Sequence, residues 1–165
     1  MNPLARLFAY NRWANHQYLD AIEKMPAGQF TQELGGSFSS IQETFVHLAW
    51  AEWVWSRRWQ GTSPRDRATA DQYPTVESVR SYLNDIEQLH LRLFEKGEAP
   101  DGAARIRYTN LKGEELEYTF EEMAHHVLMH SAYHRGQIAT FMRQLQSTPP
   151  STDYLVYVDT LKTTT

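Results

Sequence analysis

Four stretches of this chain carry apolar residues at alternating steps of three and four, and proline or glycine bounds each of them. That pattern commits the chain to amphipathic helices whose stripes must be buried against one another. The clearest stripe runs through Phe120, Ala124, Val127, Ser131, His134, Ile138, Phe141 and Leu145. Thr119 and Glu122 open it with the spacing of a capping box, and it ends before Pro149 and Pro150. An earlier helix begins at Ser39 or Ser40, with Ser40 and Glu43 as a second box. Its stripe is Ile41, Phe45, Leu48, Trp55 and Trp59, interrupted by Glu52, and it stops near Gly61. Thr75 is the expected cap of another, with Val79, Leu83, Ile86, Leu89 or His90, and Leu93 on its buried side and Gly97 at its end. The first helix is expected over residues 3–25, with Asn2 as cap, Pro3 at the first position, and a seam of Leu4, Leu7, Asn11, Ala14, Tyr18, Ala21 and Met25.

Between the third and fourth helices, Ile106 and Tyr108, then Leu116, Tyr118 and Phe120, alternate with polar residues around Lys112–Gly113, the pattern of a small β-hairpin. The expected fold is all-α: a four-helix bundle with that hairpin, one domain over residues 1–165. The tail STDYLVYV is apolar enough to pack back on the body.

Composition excludes several functions. There is no cysteine, hence no disulfide scaffold, thiolate metal site or cysteine nucleophile. A net charge of −4 provides no basic field for nucleic acid. No apolar run is long enough to span a membrane, and the opening MNPLARLFAYNRW lacks a signal core, so a cytoplasmic protein is expected.

Of the 7 histidines, His125, His126, His130 and His134 fall in HHVLMHSAYHRGQ. On a helix, a step of four advances about 6 Å along the axis and about 40° around it. Neighbours at that spacing can share one metal ion, whereas His126 and His134 are about 12 Å apart along the axis, too far for metal–imidazole bonds of about 2.0–2.1 Å. The helix therefore supplies two ligands and another helix the third. His134 lies in the buried seam and His130 borders it, which favours that pair. His125 points about 100° from His126 and is expected to face solvent. Periodicity leaves His16, His47 and His90 open as the third ligand.

The block HVLMHSAYHRGQIATFMRQL with PPSTDYLVYV, the helix IQETFVHLAWAEWVW and the opening YNRWANHQYLDAI together resemble the DinB family of metal-dependent proteins over nearly the whole chain. The resemblance implies an up-down-down-up bundle and a solvent-open three-histidine site for a divalent metal, zinc or nickel. It gives His47, His130 and His134 the ligand roles, places His126 in the pocket or behind a ligand, and implies a homodimer. Some relatives are transferases or isomerases that use a low-molecular-weight thiol. Three functions are therefore expected to compete: a metal-dependent transferase using such a thiol and a small-molecule electrophile, a hydrolase using metal-bound water, and a non-catalytic stress-associated metal-binding dimer.

Around the site, Glu43 and Glu122 are candidates to orient a ring or act as a general base, although their capping positions already explain them. Arg135 and Gln137 belong to the family block, as structural hydrogen-bond partners or substrate contacts. Tyr133 is expected to serve core or dimer packing. Trp50, Trp53, Trp55 and Trp59 surround their helix, which suggests a dimer contact or a pocket wall beyond the core, with Trp13 a possible addition.

Overall fold

A computed structural model describes residues 3–163. In chain order it contains α1 (Pro3–Glu23), α2 (Ile41–Trp59), a 3-10 turn (Ala70–Gln72), α3 (Val76–Glu95), β1 (Arg105–Thr109), β2 (Glu115–Thr119), α4 (Phe120–Gln144) and α5 (Tyr154–Lys162). The protein is mostly helical, with one two-stranded antiparallel sheet. The expected cap Asn2 lies outside the described residues. Among the described residues no helix is long and apolar enough to cross a membrane.

The local signals explain the boundaries. Thr119 Oγ1 accepts from Glu122 N at 3.2 Å while Glu122 Oε2 accepts from Thr119 N at 2.8 Å, a closed capping box. Thr75 and Ser78 close a similar box at the start of α3. At α2 only half of the expected box forms: Ser40 Oγ accepts from Glu43 N at 3.1 Å, but Glu43 Oε2 reaches back to Ser39 N at 2.8 Å. The hairpin pairs Ile106 with Tyr118 and Tyr108 with Leu116. Its turn needs Gly113, whose φ of +85° a side chain would strain.

Each long helix packs against two others: α1 on α3 and α4, and α2 on α3 and α4. Two apolar clusters result. The first gathers Leu19 and Ile22, Ile41, Phe45 and Leu48, Val79, Leu83 and Ile86, and Ile138 and Met142. The second gathers Phe8, Trp59, Leu93, Phe94, Phe120, Met123 and Val127. Along the chain, α1 and α4 pass from the second cluster to the first, and α2 and α3 pass from the first to the second.

Between the clusters lies a buried polar layer. Glu52, 1% exposed, accepts through Oε1 from Asn11 Nδ2 at 2.7 Å, Asn15 Nδ2 at 3.0 Å and Ser131 Oγ at 2.8 Å. Arg135 Nη1 donates to Asn11 Oδ1 at 2.6 Å and Asn15 Oδ1 at 2.8 Å. Ser56 Oγ donates to Glu52 O at 2.7 Å, so at 2.8 Å from His90 Nε2 it serves as the acceptor.

Two expectations change. The buried face of α1 keeps the expected Leu4, Asn11, Ala14 and Tyr18 and adds Ala5, Phe8, Asn15, Leu19 and Ile22, because α1 sits between two helices and needs a broad inner face. Leu7 and Ala21 fall to its margin. Trp55 leaves the core stripe of α2: it is half-buried, beneath Tyr108 of the hairpin. The tail packs back on the body as expected, as the helix α5, whose Tyr154 and Tyr157 meet Tyr10 of α1. Tyr10 Oη also donates to Thr152 O at 2.8 Å.

Burial lowers the pKa of His90 from the usual 6.5 to about 4, the Glu52 charge opposing in part. Between those values the unfolded chain takes up a proton that the folded chain refuses. Stability is therefore full above about pH 6.5 and falls as pH drops toward and through 4, by on the order of 3 kcal/mol from this group. His90→Gln, which does not titrate, is expected to lose less stability than wild type in urea denaturation between pH 7 and 4.5. Equal losses would contradict the assignment.

Candidate metal centre

Packing of α2 on α4 turns three imidazoles toward one point. His130 Nε2 lies 3.3 Å from His47 Nε2 and 3.1 Å from His134 Nε2. One ligand atom from each ring falls within 4.8 Å of the others. Around a tetrahedral ion with bonds of about 2.0–2.1 Å, neighbouring nitrogens stand about 3.3–3.4 Å apart. The donor set thus fits one ion in atom type, and the two spacings from His130 are close to that separation.

The His134 tautomer strengthens the fit. His134 Nδ1 is 2.7 Å from Gln137 Oε1, an acceptor, so Nδ1 carries the proton and Nε2 turns its lone pair to the cluster. Gln137 is oriented in turn by donating Nε2 to Tyr133 Oη at 3.3 Å. Lone pairs aimed at one point repel unless a cation lies between them, and neutral imidazoles are the form that binds metal. Burial lowers the pKa of His47 to about 4, helped by the His134 and Arg67 charges, and that of His130 to about 3, helped by His134, His47 and His126. Burial also lowers His134, against the Gln137 hydrogen bond. At neutral pH all three rings are therefore uncharged. His130 Nδ1 is buried with no hydrogen-bond partner.

Of the three histidines that periodicity left open, His47 stands beside the pair. His16 Nε2 instead meets Glu87 Oε1 at 2.8 Å, and His90 belongs to the polar layer. The helix-repeat neighbour His126 is tilted against Trp55 at 4.8 Å and lies 5.8 Å from the His130 ring, at the edge of the cluster. His125 is partly buried and His126 exposed, the reverse of the sequence expectation, because His126 projects over an open cleft beside the hairpin.

The carboxylates play smaller parts. Glu43 lines a hollow of about 270 Å³ with His47, Trp50 and Arg67, but its Oε2 is occupied by Ser39 N. The Glu122 carboxylate is held by Thr119 N and Oγ1, which keep its pKa low. Arg135 points into the polar layer, away from the imidazoles. Tyr133 is 64% exposed, so it does not pack in the core: its ring stands edge-on 5.2 Å from His134. Trp50 Nε1 donates to Asp66 O at 2.9 Å, so the loop after α2 takes up one tryptophan face within the chain.

Sequence reasoning missed Phe38. Its ring stacks on His47 at 4.5 Å and stands edge-on to His134 at 5.6 Å. It separates the Glu43 hollow from a second one of about 320 Å³ that reaches Gln137. A lone phenylalanine in GGSFSS carries no periodic signal; the paired glycines, at φ +79° and +113°, mark the sharp bend that places it.

Zinc at 100 times its dissociation constant is expected to stabilise the protein by about 2.7 kcal/mol, read as a rise in melting temperature. His47→Ala and His134→Ala should lose that rise and His16→Ala should keep it. Gln137→Ala should weaken zinc about 10–100-fold through the freed ring of His134. A zinc-dependent rise unchanged in His47→Ala would refute the site.

The DinB family model matches residues 1–164. The chain is 26% identical over 163 residues to Protein DinB of Bacillus subtilis (strain 168), covering 96% of this chain and 95% of that protein. It is 23% identical over 159 residues to Uncharacterized protein YizA of the same organism, covering 92% and 94%. With a family match over almost its full length and a three-histidine cluster that could hold a metal ion, this chain belongs to the DinB family.

Proposed function

We propose that this protein is a divalent-metal enzyme, with zinc or nickel held by His47, His130 and His134, that transfers a low-molecular-weight thiol to a small electrophile. The observation that carries the reading is the convergence of three neutral imidazole nitrogens from α2 and α4 in a chain without cysteine. Three neutral ligands leave the full charge of a bound ion in place, and such an ion lowers the pKa of a thiol or water at its open position toward neutrality. The thiolate must come from a co-substrate, because the chain supplies none.

The residues divide the remaining work. Gln137 Oε1 holds His134 in the tautomer that presents Nε2. Phe38 and Trp50 flank His47 with apolar faces that keep water from the rear of the ring. The two hollows beside Phe38 give a thiol and an electrophile separate approaches.

The same reading takes the chain as one domain, an up-down-down-up four-helix bundle. The order in which the helices visit the two apolar clusters supports it. It also takes the protein as a cytoplasmic homodimer. The exposed Met129, Tyr133 and Leu155 are apolar surface that a second copy would cover.

Metal analysis of untagged protein, followed by a thiol-conjugation screen against electrophilic arenes and epoxides, tests the proposal. Turnover that needs both metal and thiol, and that falls at least 100-fold in His134→Ala, is the expected result. Turnover without thiol would indicate a hydrolase using bound water instead. Activity that survives metal removal would overturn both.

A further inference from the structure

One turn from His130, α2, the hairpin and the start of α4 enclose a cleft of about 420 Å³, within the size range of small-molecule sites. Its walls are Trp55, Tyr108, Tyr118, Met123, His126 and Glu122. His126 links it to the imidazole cluster, with its ring between Trp55 and His130.

Behind those walls stands Arg58, 6% exposed. Its guanidinium carbon is 4.5 Å from the ring centroids of both Trp55 and Tyr108. Its Nε is buried with no hydrogen-bond partner, and among the described residues it forms no ion pair. Among the described residues, several other cations have partners through their guanidinium groups. Arg80 meets Asp20 and Glu23, Arg105 and Arg107 share Glu117, and Arg135 has two asparagine oxygens. The nearest acidic wall of the cleft, Glu122, is occupied by its helix cap. Buried charges are ordinarily paired. Arg58 thus keeps a desolvated charge beside an aromatic cleft, with no counter-ion among the described residues.

We infer that this cleft is a second ligand subsite, in which Arg58 receives the carboxylate of an organic acid while Trp55, Tyr108 and Met123 take its apolar body. A planar fork of donors suits a carboxylate. With Arg58 as the one cation against its aromatic wall and the Glu122 carboxylate in its lining, the cleft favours a monoanion over a phosphate dianion. As a substrate subsite it rests on the metal-centre reading and narrows the electrophile, or the thiol, to an acid with an apolar portion. The binding of the carboxylate itself does not require the metal.

The test is isothermal titration of the full chain with phenylacetate, with its uncharged amide phenylacetamide and with inorganic phosphate, in zinc-loaded and chelator-treated protein. Phenylacetate is expected to bind at least tenfold more tightly than the amide in both forms, with phosphate failing to compete. Arg58→Met keeps an aliphatic stem between the two rings. It should abolish the preference for the acid while still binding the amide. Glu122→Gln, which retains a capping side chain, should tighten the acid about two- to threefold. His134→Ala should keep the preference although it loses metal, which separates a failure of the subsite from a failure of the metal centre. Equal binding of acid and amide by wild type would overturn the inference whether or not Arg58→Met folds. So would a preference retained in Arg58→Met, one present only with zinc, or competition by phosphate.

Discussion

Glu52 places a carboxylate where three helices meet, almost wholly out of water. It accepts from Asn11 and Asn15 of α1 and from Ser131 of α4. A buried carboxylate left without partners is strongly unfavourable, so the helices are held at the one depth where these donors reach it. His47 is five residues before Glu52 on α2, and His130 immediately precedes Ser131 on α4. The hydrogen bond that sets the depth of α2 against α4 therefore also sets the height at which His47 meets the pair. Asn11 and Asn15 serve twice, donating to Glu52 and accepting from Arg135, so a cation and an anion are reconciled without touching.

The imidazole cluster follows from that registration. One helix of this period cannot surround an ion, and a third ring must come across an interface. Burial, the largest influence on all three rings, holds them neutral. The same burial that would make an isolated histidine a poor proton carrier keeps this group in the uncharged form that a metal binds. Gln137 aims His134, whereas His130 has no such partner, so its orientation relies on packing and on its neighbours. Close by, Arg58 reverses the logic: among the described residues no carboxylate pairs with its positive charge, which lies against two aromatic rings.

Local chemistry was the most legible part of the sequence. All eight positions of the α4 seam are buried, the hairpin forms where alternation placed it, and Thr119 with Glu122 caps α4. The pair His130 and His134 was readable because both positions belong to one helix. The third histidine was not: His16, His47 and His90 all occur on inner helices, and only tertiary packing puts one of them at the height of the pair. The motif's family resemblance named His47, which periodicity could not. Asn11 and Glu52 were visible as polar interruptions of apolar stripes, but their partnership depends on contacts 41 residues apart in sequence. Phe38, in an aperiodic loop, and Arg58, whose isolation is defined by what surrounds it, give no sequence signal of their own.

The central claim is that imidazoles from two helices share one ion and leave part of its sphere open. Zinc K-edge X-ray absorption on the loaded protein measures that directly. The expected spectrum has three imidazole nitrogens at about 2.0–2.1 Å with solvent oxygen completing the sphere, and His47→Ala removes one of the three. Two imidazoles or fewer in the wild type, or a count unchanged in His47→Ala, would contradict it.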